Sequence, residues 1–168
     1  MSKEIVNRVQ KSGIVTIDFD DFVIPNIYKI DLKDWLVDDF FLVEKNFREA
    51  INQHNWITYS NSYVCIFCST DAIIPQWAYM LLSSKISEVT NKVILGKSDQ
   101  LYEKIYHDHI ENLNLDDYKN KPVVVKGCSS NKVPKTAYYL ITSKLKDVAK
   151  SIMYGEACSA VPVYKKSK

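Results

Sequence analysis

Tyr63-Val64-Cys65-Ile66-Phe67-Cys68-Ser69 is the stretch on which the fold turns. Its first five residues are apolar without a break, the pattern of a strand covered on both faces. After a short loop comes Pro75, which suits a helix start, where a missing N–H has no partner to lose. Trp77 to Val89 then reads as a helix, and Lys92-Val93-Ile94-Leu95-Gly96 as a second buried strand. Together these make a βαβ unit.

The same alternation continues downstream. Ser98 is a fitting cap for a helix to about Glu111. Leu113 to Lys121 is a polar loop, Pro122 to Lys126 a strand, Pro134 the opening of a helix to about Lys150, and Ile152-Met153-Tyr154 a strand closed by Gly155. Strand and helix in strict turn specify an α/β fold, with a mostly parallel sheet and helices on its faces. Upstream, residues 1–60 read as a small α+β lead-in. Ile5, Val6 and Val9 fit one face of a first helix stopped at Gly13, and Gly13 to Phe19 and Tyr28 to Leu32 alternate like strands. Glu44 to Asn55 has a helical period that puts Phe47, Ala50, Ile51 and His54 on one face. The expected organisation is one domain over 1–168: lead-in 1–60, a first βαβ repeat at 61–97, a second at 120–156, and a tail at 157–168.

Composition narrows the class. A chain of 168 residues, 46% hydrophobic and 25% charged with 4 Gly and 5 Pro, is an ordinary globular domain. Its 22 basic and 20 acidic residues leave a charge of +2, too little to point to nucleic acid or an anionic membrane. The basic run Lys165, Lys166, Lys168 reads as a solvated tail. Met1-Ser2-Lys3-Glu4 lacks the pattern of a signal peptide, and no apolar run is long enough to span a bilayer. A cytoplasmic location follows as the expectation. There Cys65, Cys68, Cys128 and Cys158 are free thiols or metal ligands rather than disulfides.

Two segments match 59 positions apart: Pro75 with Pro134, Ala78-Tyr79 with Ala137-Tyr138, Leu81 with Leu140, Ser84-Lys85 with Ser143-Lys144, Val89 with Val148, and Gly96 with Gly155. Helical periodicity accounts for the Leu and Val matches but not for the others, and duplication is the better account. With one residue fewer in the second loop, Cys68-Ser69 falls on Cys128-Ser129. Each Cys-Ser then sits beyond the carboxyl end of a strand and before a helix, where open α/β sheets bind ligands and a helix N-terminus favours a thiolate. A further Cys-Ser pair, Cys158-Ser159, follows the last strand.

Three converging thiolates from Cys68, Cys128 and Cys158 suit zinc or an iron–sulfur cluster, with Asp71, Glu156 or a bound water as fourth ligand. The plainer reading makes all three small, half-buried residues, and their spacing is not a familiar zinc or ferredoxin pattern. A thiol-redox role for Cys68 and Cys128 is the other chemical option. Cys65-Ile66-Phe67-Cys68 spells C-x-x-C, but residues three apart in a strand face opposite ways, so Cys65 is core. His107 and His109, two apart on a helix, share no face and read as surface. Tyr79, Tyr138, Trp77 and Tyr139 near the helix starts are core residues or the lining of a pocket. No P-loop, dinucleotide-binding, Gly-x-Ser-x-Gly or His-Glu-x-x-His motif is present in the sequence, which leaves a non-enzymatic role the better expectation.

Several strings carry a resemblance: Glu4-Ile5-Val6-Asn7-Arg8-Val9, Lys33-Asp34-Trp35-Leu36, Cys68-Ser69-Thr70-Asp71-Ala72-Ile73-Ile74-Pro75-Gln76-Trp77-Ala78-Tyr79-Met80-Leu81-Leu82, Val125-Lys126-Gly127-Cys128, and Lys150 through Lys166 with Tyr154-Gly155-Glu156-Ala157-Cys158-Ser159-Ala160-Val161-Pro162 at its centre. Over nearly the whole chain these resemble the bacterial domain-of-unknown-function family numbered 2480. That family brings no established activity, so the resemblance implies no catalytic residue. It implies, by association with neighbouring genes and not by mechanism, iron–sulfur assembly proteins as partners. The sequence thus points first to a metal or iron–sulfur accessory protein, then to a thiol-dependent redox protein or enzyme, and last to a protein-interaction scaffold with inert cysteines.

Overall fold

The structure, a computed structural model, describes residues 13–127, 133–156 and 159–167. The first helix expected over residues 5–9 lies outside them. Among the described residues are seven strands and four α-helices: β1 (Val15–Asp18), β2 (Ile27–Asp31), α1 (Glu44–Gln53), β3 (Tyr63–Phe67), α2 (Gln76–Ile86), β4 (Val93–Leu95), α3 (Ser98–Glu111), β5 (Pro122–Lys126), α4 (Lys135–Leu145), β6 (Ser151–Tyr154) and β7 (Val161–Lys165). The α/β class is as expected. Instead of one sheet there are two: β1-β5-β6-β7, parallel except for β7, and the all-parallel β2-β3-β4. No described helix is long and apolar enough to cross a membrane.

The chain divides into two compact units, and the division is nested. Ile24–Lys104 is one unit; the chain up to Val23 and from Ile105 onward forms the other. We call these the inner and the outer unit. The lead-in expected over 1–60 is therefore split between them, because β1 pairs with β5 and β2 with β3. The tail expected from 157 also changes character. Val161–Lys165 is a strand paired antiparallel with β6.

Each unit builds the same element series. In the inner unit β2 runs into a 3-10 turn (Leu32–Trp35) whose cap, Asp31, accepts the Lys33 N–H at 3.0 Å. In the outer unit β1 runs into a 3-10 turn (Phe19–Asp21) whose cap, Asp18, accepts the Asp20 N–H at 3.0 Å. An Asx cap of this kind satisfies an N–H that the turn leaves open. Leu32 and Phe19 follow, both fully buried. After a helix come paired Asn-led 3-10 turns, Trp56–Tyr59 and Leu115–Tyr118, and then the βαβ segments. Phe47 and Tyr106, Ile51 and Ile110, Leu82 and Ile141, all buried, hold matching places 59 positions apart.

The inner core gathers Ile30, Leu32, Phe47, Ile51, Val64, Ile66, Ala78, Leu82 and Ile86. These come from β2 and the 3-10 turn after it, from the inward faces of α1 and α2, and from β3, whose unbroken apolar run is buried on both sides. Pro75 and Pro134 stand just before α2 and α4, with φ of −64° and −71°. The ring supplies that φ without any lost hydrogen bond.

Candidate functional site

In both units the chemistry-bearing residues lie where the parallel strands end. The inner edge carries Asp31, Cys68, Ser69, Thr70 and Asp71. Asp31 Oδ1 accepts the Ser69 N–H at 3.0 Å as well as that of Lys33. Burial works against its charge, but the Ser69 side chain and these N–H groups outweigh it and hold the carboxyl below its ordinary pKa. The Cys68 sulfur lies 3.3 Å from Thr70 Oγ1, and the Thr70 hydroxyl donates to the Asp39 carbonyl at 2.9 Å. Thr70 has a single hydrogen, so the Cys68 thiol is the donor of that pair. Burial, and then the nearby Cys68, push the Tyr79 phenol up. Asp71 is exposed.

The outer edge carries Asp18, Lys126 and Glu156. Lys126 Nζ sits 2.8 Å from Asp18 Oδ2 and 3.8 Å from Glu156 Oε1. The hydrogen bond from Lys126, partly opposed by burial and helped by the Asp20 N–H, holds the Asp18 carboxyl below its ordinary value. The same pair raises the Lys126 amine. Tyr138 donates its hydroxyl to the Gly127 carbonyl at 2.7 Å. Cys128 and Cys158, expected here, lie outside the described residues. Among the described residues, no three His, Cys, Asp or Glu side chains converge as metal ligands.

The described strands keep a register different from the one that pairs the two Cys-Ser copies. Gly96 donates its N–H to Ile66, and Gly155 to Val125. Asp31 is in register with Phe67, and Asp18 with Lys126. Both relations keep the offset at 59 through the strands and leave no room for the one-residue slip. Gly127 therefore stands where the inner unit has Cys68, and the partner of Cys65 is Val124. The reason is local crowding: Gly127 has φ +143°, and a Cβ there would come within 2.6 Å of Phe19 Cβ. In the inner unit Leu32 holds the place of Phe19.

Cys65 is core, as its strand pattern predicts. It is buried and donates its thiol to the Gly96 carbonyl at 2.9 Å, and burial raises its pKa. Of the expected aromatic set, Trp77 packs edge-on against Phe47 with Arg48 over its ring, Tyr139 is exposed, and Tyr79 and Tyr138 each wall a cavity in their own unit. His107 is exposed, as expected. His109 is not idle surface: its Nε2 lies 2.9 Å from the Val23 carbonyl.

The model of a family described as "Protein of unknown function (DUF2480)" matches residues 3–166. The chain belongs to this family. No curated protein and no solved structure matches it. The family match spans both units, so the nested pair of units falls within a single family region.

Sequence reasoning missed the Asp18–Lys126 pair and the matching caps Asp18 and Asp31. The signal was present: each Asp is followed by a large apolar residue after an alternating strand, Ile17-Asp18-Phe19 and Ile30-Asp31-Leu32.

Proposed function

We propose that this member of the DUF2480 family is a metal or iron–sulfur accessory protein whose thiolate site lies at the outer edge, with Cys128 and Cys158 as its centre. The observation that carries the reading is the alignment of the two strands leading to these residues. β5 and β6 are adjacent and parallel, with Val125 opposite Tyr154, and Lys126 bridges toward Glu156 at 3.8 Å. Cys128 is one peptide unit beyond Gly127. Cys158 is one before Ser159, whose N–H donates to the Glu156 carbonyl at 2.8 Å. The described residues next to them, Gly127 and Ser159, lie just past β5 and just before β7 of one sheet.

Soft sulfur donors suit zinc or iron, with the exposed Glu156 an oxygen donor beside them. Cys68 and Asp71 belong to the inner unit and are no part of this proposal. Donors or acceptors of the metal are its partners, iron–sulfur assembly proteins among them, and the cytoplasm is its compartment.

The test is anaerobic purification followed by assay of iron, zinc and acid-labile sulfide. The double variant Cys128→Ser/Cys158→Ser should lose its metal, and Cys68→Ser should retain it. Equal metal content in the wild type and the double variant removes the proposal.

A second reading is a thiol-dependent redox protein or enzyme with Cys68 or Cys128 as nucleophile. It requires one of these thiols to react with iodoacetamide well below pH 8. Slow, ordinary thiol titration removes it.

A further inference from the structure

The outer unit has a cavity of about 330 Å³ between α4 and the β6-β7 pair, bounded by Tyr138, Thr142, Ile152, Met153, Tyr154 and Val163. The inner unit has one of about 320 Å³ in the corresponding place, bounded by Ile66, Tyr79, Ser83, Ser87, Val93 and Leu95. Tyr138 matches Tyr79, Thr142 matches Ser83, and Ile152 matches Val93, each 59 positions apart. A hollow at the same place in both units belongs to the architecture rather than to one packing accident.

The two copies differ in what they offer. The lining of the inner cavity includes Asn91 and the hydroxyl residues Tyr79, Ser83, Ser87 and Thr90. Among the described residues the outer one carries no charged side chain, and two of its hydroxyls are engaged within the protein: Tyr138 donates to the Gly127 carbonyl and Thr142 to the Tyr138 carbonyl, both at 2.7 Å. Its aromatic walls are set edge to face, Tyr138 and Tyr154 at 5.6 Å and 83°. Such walls, with the soft thioether of Met153, suit another ring. The outer unit also adds a wall that has no counterpart in the β2-β3-β4 sheet. β7 pairs with β6 so that Ile152 faces Tyr164 and Met153 faces Pro162, which leaves Val163 as the extra residue of a β-bulge. Bulges re-aim a side chain, often next to functional sites, and Val163 is one of the cavity's bounds. Pro162 fits there because an edge strand at a bulge has no ladder bond to lose.

We propose that this cavity is a binding site for a small, uncharged aromatic molecule. Its volume lies at the small end of the roughly 300–1,000 Å³ typical of ligand sites, enough for a fused-ring group but not for a long chain. This inference stands apart from the thiol site and survives or fails without it.

The test uses the full chain and phenylnaphthylamine, an uncharged fluorescent aromatic probe. Fluorescence should rise to saturation at a single site per chain. With methyl-labelled methionine in the unaltered protein, the Met153 signal should shift on titration, while that of Met80, exposed in the inner unit, should not. Val163→Asp should weaken binding by at least about tenfold, since a carboxylate in an apolar pocket resists desolvation. Val161→Asp, on the same strand and 60% exposed against 52% for Val163, should leave it unchanged. Non-saturable fluorescence, a Met153 signal that stays fixed, equal losses in the two β7 variants, or abolition by Ser87→Asp in the inner cavity would each overturn the proposal. Displacement by an aliphatic alcohol as readily as by naphthalene would overturn its preference for a ring.

Discussion

Gly127 lies against Phe19 so closely that a Cβ on it would meet the Phe19 Cβ at 2.6 Å, in a backbone conformation of φ +143°. The last described residue before Cys128 is thereby fixed by a fully buried ring of β1's 3-10 turn. Gly127→Ala should lower stability by about 2 kcal/mol or more, from overpacking and an unfavourable φ together. Urea denaturation measures this. A change below ~0.5 kcal/mol would show that the contact yields freely.

The equivalence of the units makes a paired forecast for the cores. Leu82 and Ile141 occupy matching positions on α2 and α4 and are fully buried. Each →Ala change should cost about 2–5 kcal/mol in its own unit, the transfer loss plus a cavity. A cost under ~1 kcal/mol at either site, read from denaturation curves, would deny that position a core role.

Acid should loosen the strand ends. Asp18 and Asp31 both have lowered pKa values in the fold. Over the acid range the unfolded chain therefore takes up protons that these carboxylates refuse while folded. Their stabilisation is fully present above the unfolded carboxyl value of about 3.9 and is lost as pH falls through their folded values. Asp31→Asn should flatten the loss of stability below about pH 4. A pH profile identical to wild type would remove Asp31 as a contributor.

His54 behaves in the same direction at higher pH. It stacks on Tyr59, 2.7 Å from its hydroxyl, with Trp35 and Trp56 edge-on, and burial lowers its pKa. The folded state disfavours the charged ring, so stability is full above the unfolded value of about 6.5 and declines as pH falls below it. His54→Phe should remove that decline between about pH 6.5 and 5, as followed by thermal midpoints across pH. A slope that persists in the variant would place its origin elsewhere.

The β3–α2 and β5–α4 segments were legible because unbroken apolar runs and a preceding proline state strand and helix locally. The pairing of β1 with β5 was not, since no local pattern in Val15–Asp18 says that its neighbour is more than 100 residues away. β7 was read as tail because Pro162 and the terminal lysines mask it, and an edge strand with exposed Val161 and Val163 shows no buried face. The Cys-Ser match misled for a different reason. Identical dipeptides drew the alignment one residue out of step, whereas Asn61 and Asn120 hold the true register, with φ of 55° and 56° and N–H bonds to Val89 and Val148. That left-handed backbone favours Asn over most residues, which is why the pair could have been read from the sequence. The candidate site was legible as residue types beyond strand ends, and the Asp18–Lys126 pair beside it only from the strand register.

The thiol site itself is tested most directly by which sulfurs a metal shields. The reduced chain is labelled with iodoacetamide, with and without one equivalent of zinc, and each cysteine is read by mass spectrometry. Our account predicts that zinc protects Cys128 and Cys158 together, that a chelator exposes them again, and that buried Cys65 stays unlabelled throughout. Equal labelling of Cys128 and Cys158 in the presence and absence of zinc would contradict it.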